Sequence, residues 1–297
     1  MSDARRITLA LRGRWHGRYG LAFCPAHDNR RTPALRLRDG RDGNLLAVCA
    51  AGCDFRDVAA ALRGKGLLEG RGATFTPDPA AEARRRAEEE RDRRKRIAQA
   101  RRAWAEAQPA EGTLAERYLR SRAVRGPLPP SLRYRAETWH GPTARRLPAM
   151  VAAVTLEGEA EPVAVHRTFL AEPGRKADLG DAAKMMLGPV AGGAVRLSGG
   201  AGPLVVAEGI ETALSLADAL ADLSPRVWAA LSTSGVAGLV LPSTPGAIAI
   251  APDGDRAGRM AAEALARRAH AAGWRVRILP PPGEGLDWND AAREVTA

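Results

Sequence analysis

The sequence predicts an α+β multidomain protein with a small metal-held ribbon at the N-terminus, a central mixed α/β domain and a C-terminal α/β domain whose sheet is mostly parallel. Three observations carry this. All three cysteines fall within the first 53 residues, beside a histidine at ligand spacing. Residues 84–102 form a charged run with almost no apolar stripe. From residue 203 onward, four short apolar runs alternate with helix-like or loop segments.

The chain has 297 residues, enough for two or three domains with separate cores. No stretch reaches the roughly 18 uncharged apolar residues of a membrane span. The N-terminus, "MSDARRITLALRGRWHG", lacks the apolar core and cleavage site of a secretory signal. A soluble, cytoplasmic protein is expected. The formal net charge of +11 suggests a polyanionic partner, nucleic acid first and a membrane surface second. An Arg- and Ala-rich composition also follows from GC-rich coding, so charge alone does not decide. An odd number of clustered cysteines in a cytosolic chain favours metal binding over disulfides.

Residues 1–70 contain "CPAH" and "CAAGC", which place Cys24, His27, Cys49 and Cys53 in two pairs of closely spaced ligands. Such pairs suit a tetrahedral zinc site, because a tight turn can aim both members of a pair at one ion. The intervening "ALRLRDGRDGNLLAVC" reads as strand, turn and strand, with Asp42 and Gly43 near the bend. This is a zinc ribbon. Four protein ligands leave no open position, so one structural Zn²⁺ is expected. His16, His140 and His270 have no partners at ligand spacing and read as ordinary polar residues.

Residues 71–108 read as a linker followed by a charged helix. The run at 84–102 holds ten basic and four acidic residues. Its Ala, Glu, Arg and Lys content favours helix, yet it offers no face to bury. It is therefore an exposed helix or a tether, serving as a solvated spacer or as a nucleic-acid contact. Residues 109–200 form a basic mixed domain in which "PAMVAAVTL" and "EPVAVHRTFLA" flank "EGEAE" as a hairpin or short meander.

Residues 201–297 hold "PLVVA", "VWAAL", "AIAIA" and "RVRIL", a strand pattern that predicts a mostly parallel sheet covered on both faces. Glu208 follows the first of these strands, and Asp253 and Asp255 follow the third. In a parallel sheet these positions share one edge, where open α/β folds place their sites. "GLDWND" adds Asp287 and Asp290 after the fourth strand. Carboxylates so gathered repel one another unless cations sit between them, and their hard oxygens suit Mg²⁺ or Mn²⁺. Two such ions can serve phosphoryl transfer. Gly254 is expected to let the backbone turn tightly between the two aspartates. Against this stands a simpler reading, in which Asp255, Glu211 and Asp287 are acids placed at helix N-termini.

"CPAH…CAAGC" resembles the zinc-binding domain of bacterial and phage DNA primases. "VAEGIETALS" with "IAPDGDRAG" resembles the Toprim domain of DnaG-type primases, topoisomerases and some nucleases. The order of zinc ribbon, basic domain and Toprim covers nearly the whole chain and is that of a primase. The resemblance implies that Glu208 is the first-motif glutamate, serving as a magnesium ligand or as a base, that Asp253 and Asp255 are the magnesium-binding pair, and that Asp287 is a further ligand. Primases of this group commonly carry an aspartate four residues after the first glutamate. Here Thr212 stands at that place, preceded by Glu211, which is closer to phage- and plasmid-type variants. "AAKMMLG" resembles the lysine-bearing segment of the primase RNA polymerase domain and makes Lys184 a nucleotide or hybrid contact. Arg167, in "HRTFL", is offered on a strand facing the same cleft.

The function this implies is synthesis of short RNA primers on single-stranded DNA from nucleoside triphosphates, by two-metal nucleotidyl transfer. No GxxxxGK[ST] loop is present, so a separate replicative helicase is the expected partner, in phage, plasmid or mobile-element replication. The alternatives are a Toprim-type metal-dependent nuclease and a non-catalytic single-stranded-DNA-binding replication protein. A topoisomerase fits less well, because Tyr19, Tyr118 and Tyr134 are the only tyrosines and none stands beside the acids in sequence.

Overall fold

The computed structural model describes residues 3–27, 33–40, 44–68, 79–280 and 283–294. The expected bend at Asp42 and Gly43, and most of the expected linker, lie outside these residues. The chain divides into two compact units, residues 1–79 and 80–297.

In the first unit, helix α1 (Asp3–Ala10) precedes strands β1 (Arg14–Trp15), β2 (Gly20–Ala22), β3 (Leu35–Asp39) and β4 (Leu45–Cys49), and helix α2 (Phe55–Gly64) follows. The strands pair antiparallel in sequence order. Strand β3 shows the period-2 signature of a half-buried strand, with Leu35 and Leu37 buried while Arg36 and Arg38 are exposed. Leu35 and Leu37 pack with Ile7 of α1 and with Val58 and Leu62 of α2. Asp54 starts α2 by accepting the Arg56 amide at 2.7 Å. Because β2 and β4 both run antiparallel to β3, they run parallel to each other. Ala22 and Cys49 both pair with Leu35, so the two chain segments leave the sheet at one end, side by side.

The second unit begins with α3 (Pro79–Ala105), the charged helix expected from the sequence. It is not a free tether throughout. Ala100, Ala103 and Trp104 in its last turns pack against Val151 and Val165, and the Arg133 guanidinium lies 4.2 Å from the Trp104 ring centroid. After β5 (Gln108–Pro109) and α4 (Leu114–Ser121) come β6 (Leu132–His140), β7 (Arg145–Val154), β8 (Ala164–Ala171), β9 (Arg175–Lys176) and β10 (Lys184–Leu187). They form an antiparallel sheet of order β10-β8-β7-β6-β5, with β9 paired to β8. The expected hairpin is β7–β8. His140 is fully buried here, bonded to Thr143 Oγ1 and the Ala182 carbonyl.

A second sheet follows, made of β11 (Val195–Arg196), β12 (Leu204–Ala207), β13 (Arg226–Ala229), β14 (Ala247–Ala251) and β15 (Arg275–Ile278). Its order is β11-β13-β12-β14-β15, with β11 antiparallel and the other four parallel. Helices α5 (Ile210–Ala219), α6 (Thr233–Gly238), α7 (Arg256–Ala271) and α8 (Trp288–Glu294) complete it. Residues of β12 alternate between two cores. Val205 and Ala207 join Ile210, Ala213 and Leu214 of α5, while Leu204 and Val206 join Val236 of α6 and Leu265 of α7. With both faces covered, these strands read as unbroken apolar runs. The α5 core continues into the antiparallel sheet through Met150, Ala152 and Leu170 and into α4 through Tyr118 and Leu119.

The corner after β14 differs from the sequence expectation in its cause. Gly254 has no left-handed backbone angle. It is a close-approach glycine, since a Cβ there would lie 2.5 Å from the Gly283 carbonyl oxygen and 2.6 Å from that of Leu286. The Gly254 amide donates to the Leu286 carbonyl at 2.9 Å and the Gly285 amide to the Gly254 carbonyl at 3.0 Å. This pairing docks the segment that carries Asp287 onto the corner that carries Asp253 and Asp255. Gly254→Ala is expected to cost about 1–3 kcal/mol of stability by forcing these backbones apart. Denaturant unfolding checks this; a variant as stable as the parent would remove the close approach as the reason for the glycine.

Candidate metal centres and acidic cleft

Two chemically different sites emerge. In the first unit, the donor atoms of Cys24, His27, Cys49 and Cys53 all lie within 4.8 Å of one another. The parallel exit of β2 and β4 from the sheet explains how residues so far apart in sequence meet. His27 faces the sulfurs with Nδ1, 3.0 Å from Cys53 Sγ and 3.7 Å from Cys49 Sγ. Burial and the neighbouring Cys49 and Cys24 sulfurs push the Cys53 thiol up to about 11. Burial also raises Cys24, while Cys49 ends below its ordinary value because amides at Ala51 and Cys53 outweigh its burial. Three crowded thiols thus resist ionising together unless a cation joins them. Three sulfurs and one imidazole nitrogen form a set that can hold one tetrahedral zinc ion.

In the second unit, β12 and β14 are neighbours, and Ala207 pairs with Ala251, so Glu208 and Asp253 emerge from adjacent strand ends. The chain leaves β12 for β13 on one side and β14 for β15 on the other. The crevice between them is therefore the topological switch point, where open α/β sheets bind ligands. Burial, together with the charges of Asp253 and Asp255, pushes Glu208 up to about 7. Burial and the charges of Asp287 and Asp255 push Asp253 up to about 6. Among the described residues Asp253 Oδ1 is buried without a hydrogen-bond partner, which leaves a hard oxygen that could meet a cation.

Asp255 and Asp287 also act as helix caps. Asp255 Oδ1 accepts the Gly258 amide at 2.6 Å, and Asp287 Oδ1 accepts those of Asn289 and Asp290 at 2.7 and 2.9 Å. Glu211 does not cap α5, whose N-cap is Gly209. Among the described residues only the Cys/His set gathers its donors tightly enough to enclose an ion. The acids form an open cluster instead, which suits Mg²⁺, an ion that keeps waters and takes only one or two carboxylates plus phosphate oxygens.

Lys184, the first residue of β10, reaches this edge and draws both Glu208 and Asp253 downward, against the effect of their acidic neighbours. Its Nζ lies 3.2 Å from Glu211 Oε2. Glu211 is 5% exposed and also accepts the Tyr118 hydroxyl at 2.6 Å. Burial works against ionisation of Glu211, but the Lys184 charge and the Tyr118 hydroxyl outweigh it and hold the carboxyl at about 2. Sequence reasoning missed this contact, since Tyr118 does not stand beside the motif acids in sequence. Burial and the Glu211 charge raise the Tyr118 phenol, which donates its hydrogen bond to Glu211.

Arg167 does not face the cleft with Lys184. Lys184 pairs with Thr168, so Thr168 and His166 share its side of the sheet and Arg167 points to the other. Its guanidinium is buried and donates to the carbonyls of Trp139 and Met186. His166, on the Lys184 side, is held near 4 by burial and by Lys184, so it is neutral.

Two outcomes follow. Wild-type protein should carry one zinc per chain, and Cys49→Ser should lose it; colorimetric release after thiol modification measures this, and a wild-type value well below half an equivalent would refute the site. Glu208 and Asp253 are raised from 4.5 and 3.8 to about 7 and 6. Their neutral forms therefore contribute stability that is complete below the ordinary values and lost as pH rises through 6 to 7. Added Mg²⁺ should raise the melting temperature at pH 8 and leave it nearly unchanged at pH 5. An equal rise at both would show that these acids are not where the ion binds.

Residues 94–197 match a domain family of unknown function (DUF7146), and residues 203–297 match the Toprim domain family. No curated protein matches the sequence. Solved structures similar to this chain include the primase fragment of the bacteriophage T7 primase-helicase protein, at 14% identity over 64% of this chain and 69% of that one, with a TM-score of 0.40. The Aquifex aeolicus primase (zinc-binding and RNA polymerase domains) aligns at 13% identity over 99% and 80%, TM-score 0.38. A DNA primase domain from Pseudomonas aeruginosa aligns at 16% over 67% and 74%, TM-score 0.38. The acidic edge at the β12/β14 crevice thus belongs to a Toprim domain, which residues 203–297 of this chain form.

Proposed function

We propose that the protein is a DNA primase of the DnaG type, making short RNA primers on single-stranded DNA. The observation that carries this is the meeting of Glu208, Asp253, Asp255 and Asp287 at the switch point of a Toprim sheet, with Lys184 arriving from the adjoining sheet. The order of zinc ribbon, central sheet and Toprim domain supports it. The net charge of +11 suits a nucleic-acid partner.

In this reading the 3′-hydroxyl of a nucleotide attacks the α-phosphate of the incoming nucleoside triphosphate, and pyrophosphate leaves. Magnesium at the acids, two ions in the full reading, would lower the cost of the developing oxyanion charge. Asp253 and Asp255, with Asp287 beside them, would hold it through the oxygens not spent on helix amides. Glu208, raised to about 7, would join them at the ion and is suited to take the hydroxyl proton near neutral pH. Lys184 would meet the triphosphate. The zinc ribbon would hold the template, with exposed Arg36 and Arg38 beside its phosphates. A separate replicative helicase, a phage, plasmid or mobile-element setting and a cytoplasmic location complete the proposal.

Primer synthesis on mixed-sequence single-stranded DNA, with labelled nucleoside triphosphates and Mg²⁺ or Mn²⁺, tests it. New oligomers should appear with the wild type and fall at least 100-fold with Asp253→Ala. Metal-dependent shortening of the DNA without synthesis would identify a nuclease using water at the same acids. Synthesis undiminished by Asp253→Ala would overturn the site.

A further inference from the structure

We propose that Glu211 is a positioning residue and not a metal ligand: together with Tyr118 it clamps the Lys184 ammonium at the rim of the acidic cleft, where the open side of that ammonium takes the phosphates of a nucleoside triphosphate. This rests on the nucleotidyl-transfer reading of the same edge and adds a residue to it.

The geometry separates Glu211 from the acids three residues earlier and across the sheet. Glu208 precedes α5 and opens onto the β12/β14 crevice, whereas Glu211, in the first turn of α5, is turned inward and is 5% exposed. Both of its oxygens are engaged by groups from outside the Toprim domain. Oε1 accepts from Tyr118 on α4 at 2.6 Å, and Oε2 accepts from Lys184 on β10 at 3.2 Å. A buried carboxylate is tolerated only when paired and hydrogen-bonded, and these two donors meet that need. The Lys184 side chain remains 40% exposed, so part of the ammonium faces out of the clamp.

Lysine is a point charge on a flexible stem, and holding it still before a ligand arrives saves ordering cost on binding. The clamp therefore ties the ligand-facing cation of the antiparallel sheet to the first helix of the Toprim domain.

The test compares Glu211→Gln, Tyr118→Phe, Lys184→Met and the double variant Glu211→Gln/Lys184→Met, each checked by thermal melting. Two equilibrium readouts are used: Mn²⁺ binding by electron paramagnetic resonance, and binding of a non-hydrolysable nucleoside triphosphate. Primer-synthesis kinetics are measured in parallel. Glu211→Gln should leave the number and affinity of bound Mn²⁺ within twofold of wild type, while Glu208→Gln weakens Mn²⁺ at least tenfold. It should weaken the triphosphate and raise its KM about tenfold with kcat changed less than threefold. The double variant should bind no worse than Lys184→Met alone, because the two residues act as one unit.

Loss of a Mn²⁺ ion in Glu211→Gln would make it a ligand and overturn the proposal. So would full additivity in the double variant, or a wild type that binds no triphosphate. Should Glu211→Gln fail to fold, Tyr118→Phe decides: it keeps the ion pair, and a two- to fivefold weakening of the triphosphate supports the clamp while unchanged binding overturns it. If the wild type binds triphosphate yet makes no primers, the primase reading falls and the clamp is still scored by the two binding assays.

Discussion

Like-charge repulsion at the β12/β14 crevice is the constraint around which the second unit is organised. Glu208 and Asp253 leave adjacent parallel strands, and the β14 corner and its docked loop bring Asp255 and Asp287 to them. The structure relieves part of this repulsion locally. The Thr233 amide faces Glu208, the N-termini of α7 and α8 receive Asp255 and Asp287, and Lys184 adds a positive charge. Helix capping and metal binding are therefore not competing explanations of these acids. A carboxylate has two oxygens, and a cap that engages Oδ1 leaves Oδ2 oriented and available. Asp253 has no such cap, and its buried Oδ1 is left without a partner.

The ribbon in the first unit meets a related difficulty with softer groups and resolves it differently. Its three sulfurs and His27 Nδ1 converge closely enough to surround one ion. A closed donor set leaves no position for substrate, while the open acidic set depends on water and phosphate to complete it. The two donor sets thus differ in how tightly the fold gathers them, the first closed and the second open.

Much of this was legible in the sequence, and the reason is range. The ribbon strands, the four parallel strands and the acids at their ends all follow from period-2 alternation, unbroken apolar runs and turn chemistry over a few residues. What escaped depended on distant register. That Arg167 points away from Lys184 follows from the pairing of Lys184 with Thr168, and a slip of one residue in β10 would reverse it. The Tyr118–Glu211 bond joins residues 93 apart in sequence, on elements whose packing no local pattern specifies. The close approach at Gly254 required knowing that residues 283–286 return to the corner. The charged run has almost no apolar stripe in the sequence, yet in its last turns Ala100 and Trp104 pack against the sheet.

The continuity of the core gives these long-range contacts their consequence. Met150 and Leu170 of the antiparallel sheet, Tyr118 and Leu119 of α4, and Val205, Ile210 and Leu214 of the Toprim domain belong to one buried cluster. Close-packed interiors do not slide. Strand β10 is hydrogen-bonded to β8, whose Ala164 and Leu170 belong to that cluster, so shifting the antiparallel sheet relative to β12 would break apolar contacts before it moved Lys184 away from the acids. The cation and the carboxylates are thus held in fixed relation by residues that never touch the cleft. Charge placed in advance of the reaction stabilises a transition state without reorganisation cost at the moment of transfer. Under the proposed nucleotidyl transfer, the antiparallel sheet would belong to the catalytic apparatus, because it fixes where a single lysine stands.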